Sequence, residues 1–242
     1  MQEIAKGLGF VILYGDTDSL FVNNVKSRQD TSNFTSECRS KLGVDVGHER
    51  TFTKLILVGK KHYIGILSDP DREPIVKGME GIKSDRPEFI HRVFKQLIND
   101  IKYGNNPIPR LKHALKELNT RSVPPELLAI SLVLRENPEE YEHSCKQSML
   151  GCRLGLHKGD TLVYYKSNLE KTVYDPKTKQ QILQVVSESE NPDNISYARY
   201  KEMLVNAIKG ILEILGYDIE KDLLAPKKKL LDSSYFKGGV NN

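Results

Sequence analysis

Residues 13–22 read LYGDTDSLFV and predict more about this fold than any other stretch of the chain. Bulky, β-prone residues stand on both sides of a Gly-Asp-Thr-Asp centre, which is typical of a β-hairpin whose turn lies at that centre. We therefore expect two buried strands joined by a tip that presents the carboxylates of Asp16 and Asp18 to a cleft.

Two aspartates placed two residues apart at a turn can approach one hard cation, because Mg²⁺ prefers carboxylate oxygen and keeps positions open for water and phosphate. In a two-metal site such cations activate the attacking oxygen and stabilise the leaving one. The alternative is an ordinary turn, since Asp, Gly and Ser are common turn residues. The full ten-residue stretch favours a metal site for phosphoryl transfer.

Three stretches, in order along the chain, resemble family B DNA polymerases, the alpha-like replicative class. Residues 14–19, YGDTDS, resemble the palm motif of that family. Residues 60–63, KKHY, resemble its Lys-Lys-Arg-Tyr element, which contacts the primer duplex, with His62 in place of arginine. Residues 77–85, KGMEGIKSD, resemble the stretch that closes the palm, with lysine and serine replacing two arginines. Thumb-like segments, looser in their match to archaeal members, follow at 123–127, 159–165 and 204–217.

The resemblance implies an α+β fold. Residues 1–85 would form the carboxyl-terminal part of the palm, an antiparallel sheet that carries the metal-binding hairpin. Residues 86–242 would form a mainly helical thumb with a few short strands, ending in a basic tail at 227–242. A strongly amphipathic helix that starts near Pro87 marks the expected boundary.

The family also implies the chemistry, in which a primer 3′ hydroxyl attacks the α-phosphate of a deoxynucleoside triphosphate in a two-metal Mg²⁺ site. Asp18 would be the principal metal ligand, with Asp16 beside it in a supporting role. Tyr14 would lie near the primer terminus. The side chains expected to contact primer–template DNA are those of Lys60, Lys61 and Tyr63, although by charge alone the two lysines could be a solvated strand end.

Two family motifs are missing from this sequence, the Asp-x-x-Ser-Leu-Tyr-Pro motif that carries another catalytic aspartate and the Lys-x-x-x-Asn-Ser-x-Tyr-Gly helix that grips the triphosphate. We therefore expect a larger polymerase polypeptide to supply the remaining palm, the fingers and the exonuclease. The arrangement resembles the small chain of an archaeal split family B polymerase. An expression fragment also fits, although the start methionine and untagged tail favour a split gene.

Two other functions are compatible with parts of the sequence. One is a non-catalytic DNA-binding or assembly subunit derived from a polymerase thumb, against which the intact Asp16 and Asp18 argue. The other is an independent nucleotidyltransferase or cyclase. That function needs a further acid on an adjacent strand, and no residue in a matching sequence context supplies one.

Composition adds little to this interpretation. A net charge of +4 suits a nucleic-acid partner and also suits many enzymes. Cys38, Cys145 and Cys152 are odd in number and far apart, so neither a disulfide framework nor a zinc site is expected. The apolar run at 8–14 is too short to cross a bilayer and lacks a cleavage site. We expect a cytoplasmic, nucleoid-associated protein without a membrane partner.

Apolar periodicity predicts the remaining elements. Helices are expected at 2–6, 33–42, 87–101, 111–118, 138–152 and 196–215, and strands at 51–58, 62–67, 161–165 and 181–186. A polar loop should join the last two strands, and residues 187–193 should be mobile. Asp85 is expected to cap the helix after Pro87, and Glu80 is a weaker candidate for the metal region. Residues 230–236, LLDSSYF, faintly resemble a sliding-clamp binding peptide.

Overall fold

The computed structural model describes residues 1–17, 19–141, 146–175 and 180–224, with backbone alone at 146–149, 171–175 and 180–186. The chain divides into two compact units, residues 1–83 and 84–242. Several sequence predictions fall outside the described residues: Asp18, Cys145, the basic tail and the clamp-like peptide at 230–236.

Among its described residues, the first unit contains two α-helices, five strands and a 3₁₀ helix at Glu80–Ile82. The α-helices and strands are α1 (Gln2–Gly7), β1 (Val11–Asp16), β2 (Ser19–Asn23), α2 (Arg28–Leu42), β3 (Phe52–Gly59), β4 (His62–Leu67) and β5 (Ile75–Lys77). β1 and β2 pair antiparallel as a two-stranded sheet, and β3, β4 and β5 form an antiparallel three-stranded sheet in that order. The sequence predicts that β3 and β4 complete one palm sheet, whereas the described strands form two.

A small apolar core lies between the first hairpin and the two helices. Its buried members come from α1, α2 and the residue before β1: Ile4, Ala5, Phe10, Phe34 and Cys38. Ile12, Leu20 and Val22 of the hairpin pack against this cluster. One face of the hairpin therefore rests on the helices, because residues two apart on a strand point to the same side.

Helix α2 is five residues longer than the predicted 33–42, since it begins at Arg28. Ser27 and Asp30 form a capping box, in which each side chain accepts a hydrogen bond from the other residue's backbone N–H. The first turn carries no buried apolar residue, so apolar spacing missed a start that the cap determines.

The second unit contains four helices and a three-stranded antiparallel sheet among its described residues. The elements are α3 (Glu88–Tyr103), α4 (Ile108–Asn119), β6 (Ile130–Val133), α5 (Lys146–Leu154), β7 (Thr161–Asp175), β8 (Gln180–Ser189), α6 (Tyr197–Ile214) and a π-helical turn (Ile219–Leu224). The strand order is β6-β7-β8. Helix α3 buries the apolar side predicted for it: Phe89, Ile90, Val93, Phe94, Leu97, Ile98 and Ile101.

The strand predictions in this unit were wrong in extent. β7 runs for 15 residues and pairs with β8 as far as Asp175↔Gln180, where a polar loop was expected. Ser187–Ser189 belongs to β8, and Pro192–Asn194 is a 3₁₀ helix, so most of the segment predicted as mobile has regular structure. Ladder hydrogen bonds can hold polar residues in a two-stranded ribbon, and apolar spacing does not detect this arrangement.

The single helix predicted at 138–152 is also wrong. Pro138–Glu140 is a 3₁₀ helix, Tyr141 has extended backbone, and α5 starts at Lys146. Asp85 does not cap α3, because Pro87 occupies the N-cap and Asp85 Oδ1 accepts a hydrogen bond from Arg86 Nη1 at 2.9 Å. Within the described chain, no helix combines the length and the hydropathy needed to span a membrane.

Tyr200 joins the helices and the sheet of the second unit. Its buried hydroxyl accepts a hydrogen bond from the Lys166 backbone N–H at 2.9 Å and donates one to the Leu128 carbonyl at 2.7 Å. Burial raises the pKa of this hydroxyl. Nearby, Lys166 Nζ lies 2.8 Å from Glu188 Oε1, and both side chains are largely shielded from solvent.

Candidate active site

The hairpin tip is held by two short-range hydroxyl contacts. Thr17 adopts a left-handed φ of 44°, which lets the chain reverse between Asp16 and its partner Ser19. The Thr17 hydroxyl donates to Asp16 Oδ1 at 3.3 Å, and the Ser19 hydroxyl donates to the Asp16 carbonyl at 3.1 Å. These contacts fix both the backbone and the carboxylate of Asp16. Asp18 lies outside the described residues.

A second hairpin tip, between β3 and β4, lies against the first. Lys61 adopts a left-handed φ of 62° in this turn. Its backbone N–H donates to the Tyr14 hydroxyl at 2.9 Å. Its Nζ lies 3.5 Å from Asp16 Oδ2. One residue therefore joins the KKHY turn to the YGDTDS hairpin through main chain and side chain together.

The two lysines of this turn have different surroundings. Lys61 pairs with Asp16, and its side chain is 64% exposed. Lys60 is exposed and makes no ion pair with any described residue. His62 Nδ1 lies 2.6 Å from the Lys60 carbonyl. Because a carbonyl only accepts, Nδ1 is the protonated nitrogen, and this bond closes the turn from within.

An aromatic cluster joins the two hairpins, and Phe21 is its central member. Its ring centroid lies 5.7 Å from that of Tyr14 and 5.1 Å from that of Tyr63, in tilted and edge-on arrangements. It also stacks on Phe52 at 6.2 Å. Such ring pairs add stabilisation beyond the apolar area that they bury. Partial burial raises the pKa of Tyr63.

The structure thus brings together most of the residues predicted for the site. Lys61 directly contacts both Tyr14 and Asp16. Tyr63 reaches the same cluster through Phe21, whereas Lys60 stands at its rim. Glu80, the weaker candidate, pairs with Lys83. Sequence reasoning missed Phe21, because its position in the sequence looks like that of any strand residue.

Asp16 is the candidate cation ligand that the structure describes at the hairpin tips. The Asp16 side chain is 22% exposed at a tip, and its oxygens are donors of the kind that Mg²⁺ takes. Among the described residues, no three histidine, cysteine or acidic side chains are grouped so as to hold a metal ion. Any complete site therefore needs Asp18 or residues beyond those described.

The second unit has an open polar depression of about 380 Å³ at the start of α6, lined by residues that include Arg121, Asn168, Asn194 and Ser196. None of the site residues predicted from the sequence lines it. The candidate active site is the pair of hairpin tips in the first unit, because the acidic, basic and aromatic residues converge there.

Comparison with known proteins identifies a family. A sequence profile of DNA polymerase family B matches residues 1–213. DNA polymerase 1 of Aeropyrum pernix is 29% identical over 191 residues, which cover 72% of this chain and 20% of that protein. The DNA polymerase of Archaeoglobus fulgidus is 28% identical over 144 residues, covering 58% and 18%.

A viral relative agrees with this result, and a solved structure shows a similar fold. The DNA polymerase catalytic subunit of Saimiriine herpesvirus 2 is 33% identical over 120 residues, which cover 46% of this chain and 11% of that protein. The solved structure of the family B DNA polymerase from Pyrobaculum calidifontis shares the fold, with a TM-score of 0.56 at 20% identity. The match covers 88% of this chain and 27% of that one. The expected mixed fold with antiparallel sheets is confirmed, and the matched region spans about a fifth of the archaeal relatives' sequences.

Proposed function

Since the chain belongs to DNA polymerase family B, we propose that it forms part of a DNA-directed DNA polymerase. Residues 1–85 would supply the end of the palm and residues 86–242 the thumb. The observation that carries this proposal is the contact of Lys61 with both Tyr14 and Asp16. It joins two stretches that resemble separate polymerase motifs into one acidic and basic surface.

The carboxylates of the first hairpin would hold the metal ions of nucleotide addition. Asp18 would be the principal ligand and Asp16 a supporting one, kept in orientation by the Thr17 hydroxyl. Bound Mg²⁺ supplies charge stabilisation to the phosphates and lowers the pKa of the attacking hydroxyl. The protein's own contribution is to position the reacting groups and to exclude competing geometries.

The second hairpin would hold primer–template DNA beside those carboxylates. Lys60 carries an exposed ammonium group at the rim, where it can contact a backbone phosphate irrespective of base sequence. Lys61 would place its charge between Asp16 and the primer end. Tyr14 and Tyr63 share the Phe21 cluster, which would hold both contacts at a fixed distance from the hairpin tip.

Further catalytic groups would come from a larger polymerase polypeptide, because two family motifs are missing from this sequence. A surface suited to it lies on β1, where Val11 and Leu13 are 54% and 44% exposed. Among the described strands, β1 pairs only with β2, so its other edge offers free backbone hydrogen-bonding groups. Main-chain pairing and apolar burial there would complete a palm sheet.

Primer extension with Mg²⁺ and deoxynucleoside triphosphates tests this proposal. The full chain is assayed alone and then mixed with a family B polypeptide that carries the missing motifs. We expect no extension by the chain alone and extension by the mixture. Asp45→Asn serves as the control for Asp18→Asn in this assay. Asp45 is an exposed aspartate in the same unit, and among the described residues it pairs only with Arg39.

Extension that this chain does not increase when it is added to the larger polypeptide would contradict the proposal. Extension by this chain alone, without the missing motifs, would contradict the shared active site. If adding this chain to the larger polypeptide raises the affinity for DNA but leaves the rate of nucleotide addition unchanged, the chain is instead a DNA-binding subunit without a catalytic role.

A further inference from the structure

Gly78 directly follows β5 and has a left-handed φ of +64°. β4 and β5 pair antiparallel through Tyr63↔Lys77, so the residue after Lys77 lies opposite the turn that precedes Tyr63. Gly78 therefore lies against the turn that contains Lys61 and His62. A left-handed φ alone favours glycine, because other residues are strained there.

Steric crowding around Gly78 is a second, independent reason why this position favours glycine. A Cβ atom built on Gly78 would come closer than 3.0 Å to the Lys61 carbonyl oxygen, a separation that real Cβ atoms essentially never show. The same atom would lie 3.0 Å from Cδ2 of the His62 ring. The ring can rotate away, but the carbonyl belongs to the backbone. Any side chain at residue 78 therefore forces the backbone to shift at Lys61 or at residue 78 itself.

The Lys61 backbone is the part of the turn that contacts the first hairpin. Its N–H donates to the Tyr14 hydroxyl at 2.9 Å, close to the ordinary length of a hydrogen bond. Its side chain starts from the same Cα and reaches Asp16 Oδ2 at 3.5 Å. A backbone shift at the Lys61 carbonyl would therefore move both contacts.

We infer that Gly78 is a positioning residue, which sets Lys61 against Tyr14 and Asp16 by allowing β5 to pack closely on the Lys61 carbonyl. The inference rests on the proposed function for its catalytic consequence but not for its structural one. Gly78 has no side chain with which to bind a metal or DNA. It acts through Lys61.

The chain offers a matched control for the strain of a left-handed residue. Gly43 ends α2 with a φ of +67°, close to that of Gly78, and a Cβ atom there would meet nothing within 4 Å. Gly43→Ala therefore reproduces the backbone strain without the clash. Gly78→Asn is a second test variant, because asparagine tolerates left-handed backbone better than alanine but still carries a Cβ atom.

The first measurement is amide hydrogen exchange at Lys61 in the full chain by NMR. Tyr14→Phe gives the exchange rate expected when the hydrogen bond is lost. We expect Gly78→Ala and Gly78→Asn to raise the Lys61 exchange rate toward that reference, by about tenfold, and Gly43→Ala to leave it unchanged. Unchanged protection in either folded Gly78 variant would overturn the inference, and so would an equal increase in Gly43→Ala.

The second measurement is single-turnover nucleotide addition by the mixture with the larger polypeptide. We expect Gly78→Ala to slow addition, and we expect it to slow addition less when Lys61 is already alanine, because Lys61→Ala removes the Asp16 contact through which part of the effect passes. Additive losses would overturn the positioning role. If the mixture has no activity at all, the proposed function fails, whereas the exchange measurement still tests whether Gly78 positions Lys61.

Discussion

The Lys61 ammonium group lies 3.5 Å from Asp16 Oδ2 and so links the tips of two hairpins that are distant in sequence. Because the lysine side chain is 64% exposed, the pair contributes less than about 1 kcal/mol to stability. Its importance lies in geometry. It keeps a positive charge beside a carboxylate that we propose to lie next to bound metal and primer DNA.

The two lysines of the KKHY turn should therefore differ when each is replaced by alanine. We expect Lys61→Ala to slow nucleotide addition about tenfold, equivalent to about 1.4 kcal/mol of transition-state stabilisation. Lys60→Ala should mainly weaken DNA binding. It should also reduce the slope of the logarithm of the binding constant against the logarithm of the salt concentration by about one, because one phosphate contact is lost. The measurements are single-turnover rates and DNA dissociation constants over a range of salt concentrations. Equal effects of the two variants would contradict this division.

Tyr14→Phe removes the acceptor for the Lys61 N–H and leaves the ring in place. We expect the free energy of unfolding to fall by about 1 kcal/mol, as for the loss of one hydrogen bond. Urea denaturation measures this change. Tyr103→Phe is the control, since Tyr103 is 67% exposed and its replacement should change stability by less than about 0.5 kcal/mol. If both variants lose the same amount, the Tyr14–Lys61 bond contributes nothing specific.

Phe21 holds the aromatic cluster together, so Phe21→Ala should destabilise the chain by about 2–3 kcal/mol. Phe21→Leu keeps apolar volume without the ring contacts and should cost about 1 kcal/mol. Urea midpoints give both values, and Lys61 amide exchange reports whether the second hairpin also loosens. A leucine variant as stable as the wild type would show that the ring contacts to Tyr14, Tyr63 and Phe52 are not what supports the tips.

Because Tyr164 is buried, we expect the protein to lose stability at high pH. Its fully buried side chain has a pKa raised from 10.0 to about 12 by burial. Between these two values the unfolded chain releases the proton and the folded chain keeps it, so the free energy of unfolding falls as pH rises. The total contribution is about 2–3 kcal/mol.

The difference between the wild type and Tyr164→Phe isolates this contribution in urea denaturation at a series of pH values. We expect the wild type to lose more stability than the variant between pH 10 and 12, and the two to run parallel below pH 10. Tyr103→Phe, at an exposed tyrosine, should keep the wild-type slope. If the stability curves of the wild type and Tyr164→Phe stay parallel over the whole pH range, burial does not raise the pKa of the Tyr164 hydroxyl and the prediction is wrong.

The sequence predicted those parts of the fold that local patterns determine. The β-prone runs around residues 13–22 specify a hairpin, and the apolar spacing of α3 specifies a buried helix face. The added residues of β7 are mostly polar and are held by pairing with β8, so no local apolar pattern marks them. The early start of α2 depends on the Ser27–Asp30 cap rather than on burial.

The candidate site was predicted as a set of residues but not as an arrangement. Motif resemblance identified Tyr14, Asp16 and Lys61 separately, because each lies in its own short motif. Their contacts depend on how one hairpin packs on another, and no sequence period encodes this. Gly78 shows the limit most clearly, since its need for glycine arises from the carbonyl of a residue on the neighbouring strand's turn.

The most direct test of the central claim is single-turnover nucleotide addition by the mixture with the larger polypeptide, comparing the wild type with Asp18→Asn, together with the DNA dissociation constant of each. The account predicts that Asp18→Asn lowers the rate by at least about a hundredfold while DNA affinity stays within about twofold, because a lost metal ligand removes charge stabilisation and not DNA contacts. Asp45→Asn should leave both values unchanged. An Asp18→Asn variant with wild-type rates would contradict the account and place the chemistry wholly outside this chain.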